Sequence, residues 1–312
     1  MAIDSPLFLL AFDHRSGLVR GLLPGQETRA GELLPDAKQV IYEGAVAGLA
    51  RSAGGAADAG AGDAVASAAR GVAGVLVDEQ YGGGVVPRAK AAGLATAVAI
   101  EASGQDEFEL EYGDDAAAHI AALAPTYAKV LVRCNPGGDA TANARQCETL
   151  AAVSELVAAG PSDLLFELLV PPTTAQLDSV NGDRDRYDAE LRTELTIATI
   201  DAFQRAGVQA PLWKLEGFET VAEAEAVSAQ AGVPCIVLGR NAPQPRVEHW
   251  LAVAAAARGW EGFAIGRSIW WRAIGALIHD GLPRDQAVTE IADGYAQAID
   301  VYLAAEASAA AA

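Results

Sequence analysis

Short runs of valine, isoleucine and leucine recur along the chain, each followed by a glycine, a proline or a charged residue. Eight of them read as buried strands: Leu7–Phe12, Gly74–Val77, Thr96–Ile100, Ala128–Arg133, Leu164–Val170, Leu212–Glu216, Pro234–Leu238 and Gly262–Ile265. Between them lie helical patterns: Asp36–Ala50 with Ala57–Ala69, then Pro87–Ala92, Asp114–Ala122, Ala140–Ala158, Arg184–Ala206, Val221–Ala231 and Pro245–Ala257. A last pair, Ser268–His279 and Arg284–Ala304, closes the pattern. Strands without polar alternation, separated by helices, predict a parallel sheet covered on both faces. Eight such units predict an α/β fold, a single-domain (β/α)8 TIM barrel over residues 5–303, followed by a disordered alanine-rich tail, 304–312. An open doubly wound sheet is the competitor, but its glycine-rich first turn is missing.

In such a barrel, active-site groups sit at the C-terminal ends of the strands. Those ends carry Asp13, His14 and Arg15, then Asp78, Glu79 and Tyr81, then Glu101. The later ends carry Lys129 and Arg133, Glu167, Lys214 and Glu216, Arg240, and Arg267. Side chains alternate along a strand, so Lys129, Glu167 and Lys214 reach the interior from three adjacent strands if those faces point inward. Lys214 stands in the apolar segment Pro211-Leu212-Trp213-Lys214-Leu215-Glu216-Gly217. Burying an ammonium there is costly unless it is paired or neutralised. Two readings follow: an amine that forms a Schiff base, or one member of a structural ion-pair network.

The first reading defines a class I aldolase. Lys214 is the amine, Lys129 lowers its pKa and assists proton transfer, and Glu167 is the general acid/base. A phosphate anchor is available where the eighth strand turns into a helix, at Gly266, Arg267 and Ser268. Gly239 and Arg240 offer a second half after the seventh strand. Asp13, His14, Arg15, Asp78 and Arg133 complete the candidate substrate-binding set. Asp78, Glu101 and Glu216 are equally placed to pair with barrel lysines and arginines. Trp270 and Trp271 are expected to pack the last helices onto the barrel.

Composition narrows the classes. With 22 basic and 41 acidic residues the formal net charge is −19, which argues against nucleic acid and against anionic membrane surfaces as partners. An anion site must then be built from a few local basic groups. No stretch is long and apolar enough to span a membrane, and the N-terminus does not read as a signal peptide. Cys134, Cys147 and Cys235 are odd in number and widely spaced, which suggests reduced thiols in a cytoplasm. The four histidines show no ligand-like spacing, so no metal and no cofactor is expected. The expected partner is a small phosphorylated substrate. Barrels of this kind often form homo-oligomers, and no interface signal is visible in the chain.

Five motifs carry a resemblance: Ala11-Phe12-Asp13-His14-Arg15, Val77-Asp78-Glu79-Gln80-Tyr81-Gly82, Lys129-Val130-Leu131-Val132-Arg133, Trp213-Lys214-Leu215-Glu216 and Gly266-Arg267-Ser268-Ile269-Trp270. Together they resemble bacterial class I aldolase-like barrels. The likeness is to the 2-deoxy-5-keto-D-gluconate 6-phosphate aldolase domain of inositol-catabolism kinase–aldolase fusions, and more distantly to tagatose 1,6-bisphosphate and sulfofructose-phosphate aldolases. The resemblance implies a Schiff base at Lys214, assistance from Lys129 and Glu167, and phosphate binding at Arg267. It implies cleavage of a phosphorylated keto sugar or keto acid to dihydroxyacetone phosphate and an aldehyde. His14 stands where the tagatose and sulfofructose enzymes have glutamine, and the loop 239–243 departs from their glycine-rich one. Two other activities suit the same residues: a phosphosugar isomerase or epimerase, and a non-catalytic sugar-phosphate binding protein.

Overall fold

The computed structural model describes residues 5–52 and 71–311. Eight parallel strands close into a barrel in sequence order. They are β1 (Leu7–Ala11), β2 (Val72–Val77), β3 (Ala95–Ala99), β4 (Tyr127–Arg133), β5 (Asp163–Leu169), β6 (Leu212–Glu216), β7 (Cys235–Leu238) and β8 (Trp260–Ile265). Strand β8 pairs back onto β1, with Gly262 opposite Leu7, which closes the sheet. The expected α/β barrel is the observed fold.

The connections carry α1 (Ser16–Leu22), α2 (Ala30–Ser52), α3 (Glu79–Gly82), α4 (Val85–Ala91), α5 (Ala116–Leu123) and α6 (Ala140–Ala158). They continue with α7 (Thr174–Ser179), α8 (Arg184–Glu190), α9 (Arg192–Arg205), α10 (Val221–Ala231) and α11 (Gln244–Ala256). After β8 come α12 (Arg267–His279) and α13 (Arg284–Ala310). Local chemistry sets several boundaries. The Asp139 carboxylate accepts from Thr141 N and Ala142 N at 2.8 and 3.0 Å and starts α6. Thr220 and Glu223 form a capping box at the start of α10, and Gly232, at φ 67°, ends it.

Some expectations change. The helix expected over Ala57–Ala69 lies outside the described residues. The one expected over Arg184–Ala206 breaks at Leu191, which lets Arg192 turn inward to Asp188 and the Gly217 carbonyl. Helix α2 starts before Pro35 rather than after it, and burial of Ala30 and Leu34 offsets the one backbone bond that proline forfeits. The tail expected to be disordered extends α13 to Ala310. Alanine adds to an existing helix at almost no conformational cost, so the tail continues α13 without further packing.

Along each strand the outward side chains, such as Phe8, Phe166, Trp213 and Phe263, pack under the helices. The inward ones, Leu7, Leu9 and Ala11 with Ala95, Ala97, Leu165, Leu212, Ile236 and Ala264, form a separate apolar floor. Asp13, Lys129, Glu167 and Lys214 each lie two residues beyond a member of that floor or its neighbour Tyr127. The same inward face therefore turns from apolar to ionic as it reaches the C-terminal mouth. Among the described residues no helix is long and apolar enough to cross a membrane.

Helix α13 lies against α2, and Gly48 makes the contact close: a Cβ there would stand 2.8 Å from the Ala292 carbonyl oxygen. We expect Gly48→Val to cost about 1–3 kcal/mol through overpacking, read as a lower urea midpoint with an unchanged slope.

Candidate active site

A cavity of about 340 Å³ opens at the C-terminal ends of the strands. Lys129, Glu167 and Lys214 all line it, and they touch. Lys214 Nζ lies 2.8 Å from Glu167 Oε1, and Lys129 Nζ lies 2.9 Å from Glu167 Oε2. Lys129 also contacts Asp13 Oδ2 at 2.7 Å and Glu101 Oε1 at 3.0 Å. The register explains the meeting, since Glu167 pairs across the sheet with Lys214 on one side and Leu131 on the other. Both lysines are buried, and among the described residues Lys214 has Glu167 as its only carboxylate partner.

The ionisation of the cluster follows from who surrounds whom. Burial pushes Lys129 down, but Asp13, Glu101 and Glu167 outweigh it and hold the ammonium well above its ordinary range. Lys129 is thus a fixed cation, not the proton carrier expected from the sequence. Burial raises Asp13 and Glu167, yet Lys129 and then Lys214 hold both carboxyls below the usual carboxylate range. At Glu101 burial prevails over Lys129, the Asp13 charge adds to it, and the carboxyl is raised.

The anion end is equally distinct. Helix α12 begins at Gly266 with no side-chain cap, so its first amides are open to a ligand. Gly266 is required there because a Cβ would collide with the Ala11 carbonyl oxygen. Ser268 Oγ is buried with no partner, and Arg267 is half-buried, its pKa lowered by desolvation. Among the described residues, Arg20, Arg133, Arg184 and Arg267 are the arginines without an acidic partner within 4.0 Å. Arg20, Arg133 and Arg267 line this cavity. In a chain of net charge −19, acids pair with most other arginines and leave these three around one opening.

Other sequence candidates are placed differently. Arg15 is held by Glu111 at 2.8 Å and by the Glu101 carbonyl at 2.5 Å, so it braces the β1 and β3 loops. Arg240 and Gly239 line the cavity, but the Arg240 guanidinium is engaged by Asp188 and Glu216. Its backbone is left-handed at φ 45°, as is that of Asn241 at φ 58°, so these ion pairs hold a strained turn. Glu216 is structural, also accepting from Val170 N at 3.0 Å. Asp78 is a correction: it does not line the cavity. It pairs with Lys38 of α2, both fully buried, and accepts from Tyr81 N at 2.7 Å to cap α3. Lys38 escaped notice in the sequence, although it falls on the Leu34–Ala37–Ile41 face of its helix; it also donates to the His14 carbonyl at 3.0 Å. Gln105 and Arg20 were missed as well, since both lie on connections and not at strand ends. Trp270 packs as expected, donating to the Ala11 carbonyl at 2.9 Å and meeting the His14 ring edge-on. Cys134, Cys147 and Cys235 are all free. Among the described residues no group of three or more His, Cys, Asp or Glu is arranged to hold a metal.

Fold and cavity together define a (β/α)8 barrel with an ionic site at its C-terminal mouth. Residues 3–306 match the family described as "Uncharacterized protein conserved in bacteria (DUF2090)", and the chain belongs to that family. No curated protein matches it. Among solved structures, it resembles the crystal structure of Cgl0159 from Corynebacterium glutamicum, with 18% identity, TM-score 0.58, and 95% of this chain and 86% of that one covered. At that identity the likeness is one of fold.

His14 gives a pH signature. Burial lowers its imidazole to about 3, against the pull of Asp13, although 27% of the side chain is open to solvent. The unfolded chain gains this proton near pH 6.5 and the folded one does not, so stability falls as pH drops from about 6.5 toward 3. In urea titrations between pH 6.5 and 5, before most carboxylates titrate, we expect His14→Gln to reduce this slope by up to about 1.4 kcal/mol per pH unit.

Proposed function

We propose that the protein is a class I aldolase acting on a keto sugar or keto acid that carries a phosphate. The observation that carries this reading is Lys214: a buried amine facing the cavity, with one carboxylate partner that it shares with a fixed cation. Glu167 takes a proton from Lys214, and the free amine adds to the substrate ketone. Loss of water gives an iminium, the electron sink for carbon–carbon cleavage. Lys129 orients Glu167 and holds its carboxyl low, so that Glu167 readily returns the proton it took from Lys214 when water is lost. Arg267, Ser268 and the first amides of α12 hold the phosphate.

Arg133, another of the cavity arginines without an acidic partner among the described residues, supports a narrower choice of substrate. Strand β4 stands opposite β8 in an eight-stranded ring, so Arg133 lies across the mouth from Arg267. A substrate with a phosphate at one end and a carboxylate at the other suits this spacing of charge. 2-Deoxy-5-keto-D-gluconate 6-phosphate is such a molecule, and its cleavage gives dihydroxyacetone phosphate and malonate semialdehyde.

Borohydride reduction in the presence of dihydroxyacetone phosphate tests the chemistry. We expect a covalent adduct on Lys214 by peptide mass spectrometry, and none in Lys214→Ala, whose turnover falls to background. Binding of the phosphate ligand without any adduct would instead indicate an isomerase or a sugar-phosphate sensor. Arg267→Ala is expected to weaken dihydroxyacetone phosphate binding by about 10–100-fold, as measured by calorimetry, through loss of a charge-assisted contact.

A further inference from the structure

Six buried polar side-chain atoms have no hydrogen-bond partner among the described residues, and four of them belong to residues lining the cavity: His14 Nδ1, Glu101 Oε2, Gln105 Nε2 and Ser268 Oγ. Buried polar groups are rarely left so, and their gathering around one cavity marks where a ligand's own groups belong. Ser268 faces the anion end, but Glu101 belongs to the ionic cluster itself. Its position is closely held. An antiparallel bridge to Leu110 anchors its backbone, and Arg15 donates to its carbonyl at 2.5 Å. Glu101 Oε1 takes Lys129 at 3.0 Å, while Oε2 is free. Glu167 differs, because both of its oxygens are engaged, one by each lysine.

We propose that Glu101 is a second catalytic residue, whose Oε2 exchanges a proton with the carbon next to the imine. The proposal rests on the aldolase reading. In the condensation direction, starting from the iminium of bound dihydroxyacetone phosphate, the proton leaves that carbon for Oε2. The carbon–hydrogen pair becomes the enamine double bond, and the iminium π pair moves onto the Lys214 nitrogen. In cleavage the breaking carbon–carbon bond supplies the enamine pair, the hydroxyl proton of the departing aldehyde passes to Glu167, and the enamine carbon takes its proton from Oε2; hydrolysis then frees the ketone product. No oxidant or co-reactant is required. Among the described residues Oε2 is left without a partner on a residue that lines the cavity, and the raised Glu101 carboxyl suits a group that must both take and give a proton.

Dihydroxyacetone phosphate alone suffices for the test. In D2O the wild-type protein should exchange deuterium into its C3 position, followed by proton NMR, and should give the Lys214 adduct on reduction. Glu101→Gln should keep the adduct and lose exchange by about 100-fold or more. Glu101→Asp should recover part of the rate. The acid limb of the wild-type rate profile should lie above the ordinary carboxylate range and vanish in Glu101→Gln. Exchange retained within tenfold in Glu101→Gln overturns the proposal. So does loss of adduct together with exchange, which would mark Glu101 as a structural clamp, or a wild-type protein that traps but never exchanges. A wild-type protein that does not trap at all removes the aldolase reading itself, and this proposal with it.

Discussion

One buried cation organises the mouth of this barrel. Lys129 meets Asp13, Glu101 and Glu167, which arrive from the ends of β1, β3 and β5. None of these carboxylates belongs to the strand that carries the lysine, so the contact ties four strand ends into one cluster. Breaking a buried pair of this kind typically costs about 3–5 kcal/mol, because the partners left behind stay charged and dry. Three carboxylates around one ammonium also cannot all be satisfied equally. Lys129 and Lys214 hold Asp13 and Glu167 below the usual carboxylate range, whereas burial, with the charge of Asp13, raises Glu101. One contact thus creates two unlike acids in one cavity.

Room for this cluster comes from the floor beneath it. Small interior residues on the early strands, Ala11, Ala95 and Ala97, leave the volume that long lysine and glutamate side chains occupy above. Leu165, Leu212 and Ile236 fill the opposite side, under Glu167 and Lys214. Outside the barrel the excess of acid engages most arginines in surface pairs such as Arg284 with Asp36 and Glu43. Each such pair contributes little to stability. Their collective effect is that free guanidinium groups are scarce, which gives Arg20, Arg133 and Arg267 around the cavity their meaning.

The fold was legible because its signals are local. Apolar runs bounded by glycine, proline or charge marked all eight strands, and their alternation with helices implied the parallel barrel. The trio Lys129, Glu167 and Lys214 was legible for the same reason: strand periodicity puts each on the inward face, and the sequence order of strands makes them neighbours. Lys38 was harder to read, since a lysine on an otherwise apolar helix face resembles one that snorkels to water. Only the approach of β2 shows that Asp78 waits for it and that neither group faces the cavity.

The chain by itself thus determined the architecture and the meeting of Lys129, Glu167 and Lys214, because both follow from short-range periodicity and strand order, whereas the addition of Asp13 and Glu101 to that cluster did not. Tertiary structure decided the state of each member. Whether Lys129 moves a proton or stays charged depends on three carboxylates 28, 38 and 116 residues away along the chain. Whether Arg240 is free depends on Asp188, 52 residues distant, which engages it. Pairing of this kind is a matter of a few ångströms between remote strand ends, and local sequence carries no record of such distances.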